Sequence, residues 1–101
     1  MTTSIPIGGL IAVGFDATGD YLLTVSYSGR GVFSTQTWQR VARDHGVIYP
    51  EGGKCLGIGP IDGRAISVTE MDFEKGAMQL KSPDGRVMLE CESSVINVRM
   101  A

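Results

Sequence analysis

The 101-residue chain has one histidine, one tryptophan, two cysteines and no net positive charge, and each shortage removes a class of function. A formal charge of −2 gives no broad attraction to phosphate backbones or anionic lipid, so neither nucleic acid nor membrane is an expected partner. The nearest approach to a basic cluster, Arg40, Arg43, His45 and Lys54, is interrupted by Asp44 and Glu51 and reads as a solvated strand face. His45 would have to serve any Ser-His-Asp arrangement, and no Gly-x-Ser-x-Gly elbow accompanies it. Two cysteines and one histidine fall short of a structural zinc set. Gly52-Gly53-Lys54 lacks the spaced glycines and the following Ser or Thr of a phosphate loop. No metal or cofactor is therefore expected. Cys55 and Cys91 read as free, partly buried thiols of a reducing compartment. The apolar run from Ile5 to Phe15 has no basic residue ahead of it and is broken by Pro6, Gly8, Gly9 and Gly14. That makes a poor signal peptide and too short a span, so a cytoplasmic location is expected.

What is present is the composition of one globular domain over 1–101, with 43% hydrophobic and 20% charged residues. Fourteen glycines without a collagen period indicate frequent chain reversals. Two segments share one plan: Ile11 to Phe15 and Tyr21 to Leu23 flank Asp16-Ala17-Thr18-Gly19-Asp20, and Met78 to Leu80 and Val87 to Leu89 flank Ser82-Pro83-Asp84-Gly85-Arg86. Each reads as a β-hairpin, and the proline, aspartate and glycine of the second make it the best-defined turn of the chain. Gly9 to Phe15 and Tyr21 to Tyr27 are expected strands, with Ser28-Gly29-Arg30-Gly31 turning the chain into a third. The Trp38 to Arg43 segment is open between a strand and a short helix capped by Thr37. Residues 49–63, crowded with glycine and proline, predict a loop region interrupted by a short strand at Cys55-Leu56. Met71-Asp72-Phe73-Glu74 alternates, with Met71 and Phe73 facing in, and Val95 to Met100 suggests a last strand. The fold expected is all-β: a small antiparallel sheet, curled sheet or incomplete barrel of about seven to nine short strands.

Phe15-Asp16-Ala17-Thr18-Gly19-Asp20-Tyr21-Leu22-Leu23-Thr24-Val25-Ser26, followed by Gly31-Val32-Phe33-Ser34-Thr35-Gln36-Thr37-Trp38, resembles a blade of a WD40-type β-propeller, and 81–86 resembles the same hairpin again. The Gly-His and Trp-Asp signatures of that family are absent, and two units do not close a ring. The resemblance therefore implies blade-like hairpins. In size, acidity and lack of catalytic machinery the chain is also similar to small bacterial toxin-immunity proteins, which implies a protein partner, a toxin.

The function expected from these readings is a non-catalytic protein-binding module, an immunity-type inhibitor among them. Aromatic residues concentrate near arginines in the first half, and aromatic and arginine side chains are favoured interface anchors. Arg30, Trp38, Arg40, Arg43 and Tyr49 are the candidate contact residues on that side. Glu70, Asp72 and Glu74, with Glu90 and Glu92, offer acidic complementarity along two outward strand faces. One alternative is a self-associating structural module, a homodimer that buries an apolar edge. The other is a small hydrolase using His45 with Cys55 or Cys91.

Overall fold

The computed structural model describes residues 2–100, which form eleven strands and a single 3-10 turn. In chain order the strands are β1 (Thr2–Pro6), β2 (Leu10–Phe15), β3 (Tyr21–Ser26), β4 (Gly29–Ser34), β5 (Arg40–Asp44), β6 (Lys54–Leu56), β7 (Ala65–Ser67), β8 (Thr69–Glu70), β9 (Met78–Lys81), β10 (Val87–Cys91) and β11 (Val95–Met100). The 3-10 turn is Gly59–Ile61, and among the described residues no helix is long and apolar enough to cross a membrane.

The strands make three antiparallel sheets. An outer sheet has the order β1-β11-β10-β9, a central sheet β5-β4-β3-β2-β8, and a small sheet pairs β6 with β7. Two apolar clusters bind them as layers. Ile5, Leu89, Cys91 and Ile96 of the outer sheet pack with Val13, Leu22 and Phe33 on one face of the central sheet. Ala12, Leu23, Val25 and Val32 on its other face pack with Cys55, Ile61, Ile66 and Val68. The central strands are therefore nearly continuous runs of apolar and small residues, because both of their faces are covered.

The all-β antiparallel expectation stands, but the curled sheet or incomplete barrel does not: the strands divide among three sheets, none of them curled or closed. The reason is long-range pairing. β1 pairs with β11 and β2 with β8, so the chain's ends build the outer sheet while its middle builds the other two. Short strands of two or three residues at 54–70 also raise the number above the seven to nine expected. Three local expectations change as well. The helical alternative at 37–43 gives way to β5. The third reversal is tighter than expected, because only Tyr27 and Ser28 lie between the paired Ser26 and Gly29. Met71 to Glu74 is a connection rather than a strand, though Met71 and Phe73 do pack partly buried against the first core cluster.

Both hairpins are present, β2-β3 in the central sheet and β9-β10 in the outer one. Their turns are built alike. Gly19 N–H donates to Asp16 O and Gly85 N–H to Ser82 O, each at 3.0 Å, with φ of 78° and 75° at the two glycines. In each, the first side chain accepts from the backbone N–H five residues on: Tyr21 N–H to Asp16 Oδ1 at 3.0 Å, Val87 N–H to Ser82 Oγ at 3.1 Å. Asp84 also accepts from Ser82 Oγ and from the Arg86 backbone and side chain, and these bonds hold its carboxyl down to about 2.

Candidate functional site

β5 ends the central sheet, and among the described residues its outer edge has no neighbouring strand. The chain reaches it through a tight turn in which Trp38 N–H donates to Ser34 O at 2.8 Å and Trp38 takes φ of 57°. A non-glycine residue rarely adopts that conformation. Trp38 holds it because its ring is buried in the first core cluster, where the indole N–H has no hydrogen-bond partner among the described residues. Thr37, the cap of the discarded helix, instead accepts from Gln39 N–H through its hydroxyl.

Along β5 the register slips once. Asp44 faces Arg30, Arg43 faces Gly31 and Ala42 faces Val32, but Arg40 then faces Phe33, leaving Val41 as an extra residue. This bulge changes which side chains share a face. In a regular strand residues three apart point to opposite sides. Here Arg40 and Arg43 lie opposite Phe33 and Gly31, two residues apart on β4, and so share one face. Arg40 extends over the Phe33 ring, 5.3 Å from its centroid. Ala42 and Asp44 occupy the other face, toward the small sheet.

Arg30 locks that side. Its side chain is 8% exposed, and its guanidinium grips Asp44 through Nη2 to Oδ2 at 2.6 Å and Nε to both carboxylate oxygens at 3.2 and 3.3 Å. Nη1 donates to Leu56 O at 2.5 Å and approaches Cys55 Sγ at 3.9 Å. One buried charge thus ties β4, β5 and β6 together. The Asp44 carboxylate holds the Arg30 pKa above its ordinary value despite burial, and Arg30 in turn lowers that of Asp44.

After Asp44 the chain runs through residues 45–50 without joining a strand. Among the described residues six large hydrophobic side chains are exposed, and four of them, Val41, Val47, Ile48 and Tyr49, lie on β5 or in this segment. Leu56, 59% exposed, is a fifth, on the β6 residue whose carbonyl Arg30 holds. Tyr27 lies apart, against Gly9. A depression of about 440 Å³ on the solvent face of the outer sheet differs in character. It is lined largely by polar side chains, among which Ser4 Oγ donates to Asn97 Oδ1 at 2.8 Å.

The candidate contact residues therefore divide. Arg40, Arg43 and Tyr49 are exposed at or beside the β5 edge, whereas Arg30 and Trp38 are buried. The acidic residues are dispersed: Glu70 on β8 at the opposite end of the central sheet, Asp72 and Glu74 in the connection after it, Glu90 on β10 and Glu92 beyond that strand. Two of the five are thus on strands, not the two acidic faces expected. The cluster that sequence reasoning missed is Arg30, Asp44 and Leu56, whose members are separated by 14 and 26 residues and share no motif.

Cys55 and Cys91 are free, buried and in different clusters on opposite faces of the central sheet. Burial pushes the Cys91 thiol up to about 11, which leaves little thiolate for nucleophilic attack near neutrality. Among the described residues no group of three or more His, Cys, Asp or Glu side chains is gathered as metal ligands would be. Compared with protein-family models, curated proteins and solved structures, the chain matches none.

Proposed function

We propose that the protein is a non-catalytic protein-binding module that takes an extended segment of a partner along the free edge of β5. The supporting observation is the concentration of Val41, Val47, Ile48 and Tyr49 on and just beyond an edge strand. An unpaired edge offers main-chain hydrogen bonds, and flanking apolar side chains supply contact area, which is the chemistry of strand addition. Arg30 neutralises Asp44, so Arg40 and Arg43 give the edge net positive charge. Two such edges laid together repel, which favours a neutral or acidic partner over a second copy. An immunity-type inhibitor is the special case in which the partner is a toxin.

The test is selection from a displayed library of linear peptides, followed by amide chemical-shift mapping of the binders. Peptides with alternating apolar and acidic residues that shift β5 amides, and bind at least tenfold more weakly to Val41→Lys, are the expected result. A chain that sediments as a stable dimer with β5 amides already protected from exchange overturns the reading. So does a selection whose binders leave β5 unshifted.

A further inference from the structure

On the outer-sheet side of β4 and β5 the protein has a recess of about 90 Å³, lined in part by the two arginines whose charge the strand-addition reading invokes. Arg40 and Arg43 line it together with Thr24, Ser26, Ser28 and the backbone of Gly31. Small-molecule pockets usually measure about 300–1,000 Å³, so this one admits a functional group rather than a whole metabolite. It holds a few waters' volume.

We infer that this recess binds a phosphate group. Three observations converge. First, the two arginines are brought onto one face by the bulge at Val41, and bulges re-aim side chains where a site requires it. Second, no acidic residue lines the recess, and neither arginine takes part in an ion pair among the described residues. Third, Gly31 lets Arg40 lie close against β4: a Cβ there would come within 3.3 Å of Thr24 Oγ1 and 3.4 Å of Arg40 Nε, so any side chain would push the Arg40 guanidinium away from the recess wall.

Charge selects the ligand class. A phosphate monoester carries about −1.5 to −2 near pH 7, matching two guanidinium groups, whereas a carboxylate neutralises only one. The hydroxyls have unequal roles. Thr24 Oγ1 donates to Gly31 O at 3.3 Å and Ser26 Oγ to Gly29 O at 3.0 Å, so both serve to hold β3 against β4. Ser28, exposed and 2.9 Å from Ser26 Oγ, is the hydroxyl able to rotate toward a ligand. The stacking of Arg40 on Phe33 orients its fork before any ligand arrives.

The experiment is an amide chemical-shift titration of the full chain with inorganic phosphate and, separately, with O-phosphoserine, at constant ionic strength against a chloride control. Saturable shifts at Gly31 and Ser28 are expected, with affinity reduced about tenfold in Arg40→Gln and in Arg43→Gln. Arg99→Gln, on the outer sheet, should bind as the parent does. Tighter binding of phosphoserine identifies the ligand as a phosphate carried on a larger molecule, and equal or tighter binding of inorganic phosphate identifies the free ion. Shifts that track chloride, fail to saturate or survive in both arginine variants overturn the inference. Unchanged β4 amides in the unliganded variants separate loss of binding from loss of fold.

Discussion

Replacing Asp44 with alanine should destabilise the protein more than replacing its partner Arg30 with methionine. The asymmetry follows from where the two charges sit. Arg30 is 8% exposed and the Asp44 side chain 37%, so loss of the carboxylate strands a buried cation, whereas loss of the guanidinium leaves a carboxylate that water can reach. Removing one partner of a fully buried pair costs about 3–5 kcal/mol, and partial exposure of Asp44 reduces that to about 2 kcal/mol here. In a domain of this size that is roughly 8–16 °C in Tm. Arg30→Met keeps most of the aliphatic packing and leaves the Leu56 carbonyl without its charged donor, a loss of about 1 kcal/mol. Urea unfolding monitored by the fluorescence of Trp38, the only tryptophan, measures both variants against the parent. The pH dependence has a definite sign. Asp44 is held below its ordinary value of 3.8 in the fold, so its contribution is fully present above that pH and is lost as the pH falls through the folded value. The gap between the parent and Asp44→Ala should therefore close in acid. A larger loss for Arg30→Met, or an Asp44→Ala variant within about 0.5 kcal/mol of the parent, refutes the reasoning.

Trp38→Ala should cost about 3–5 kcal/mol in lost packing, and Trp38→Gly should be more stable than the alanine variant by about 0.5–1 kcal/mol, because glycine accepts the positive φ without strain. Chemical denaturation of the pair, followed by circular dichroism, gives the ordering. Gly14→Ala drives a methyl group into the Ser67 carbonyl and Val68 and should cost about 1–3 kcal/mol, while Gly8→Ala, with open space around it, should stay within about 0.5 kcal/mol of the parent by thermal melting. Cys91 should be alkylated at neutral pH only at the rate of global unfolding, measured by mass spectrometry over a urea series, since its thiol is buried and its pKa stands at about 11.

Turn chemistry was the most legible part of the chain. Asp16 to Asp20 and Ser82 to Arg86 carry their own hydrogen-bonding side chains and a glycine for the left-handed position, so local sequence dictates both hairpins. Pairing between distant strands was not legible, because nothing in Thr2–Pro6 names Val95–Met100 as its neighbour. This is why an all-β chain was readable and its three-layer arrangement was not. Arg30 shows the same limit within a site. Its flanking glycines suggested an exposed turn, but its surroundings are set by Asp44 and the Leu56 carbonyl, contributed by two other strands. Tyr49 is exposed, as its place in a stretch that cannot sustain long elements suggests, whereas Trp38, expected among the contact residues, is buried, because a lone aromatic beside polar residues does not reveal whether its ring faces the core.

Strict alternation would set Arg40 and Arg43 on opposite faces, and the residue that brings them together, Val41, separates the two proposals made for this region. Val32 faces Ala42 and Phe33 faces Arg40, so deletion of Val41 removes the residue that has no partner and leaves both pairs in place. Arg40 and Arg43 then remain on the face of Phe33 and Gly31, now by ordinary alternation. The exposed Val41 side chain, 45% accessible at the edge, is gone. A Val41 deletion variant should accordingly keep its phosphate titration at Gly31 while binding edge-selected peptides more weakly, and Arg40→Gln should lose the first. Loss of both activities in the deletion variant, with native β4 amide shifts retained, would show that the bulge itself shapes the recess and that the edge and the recess form one site.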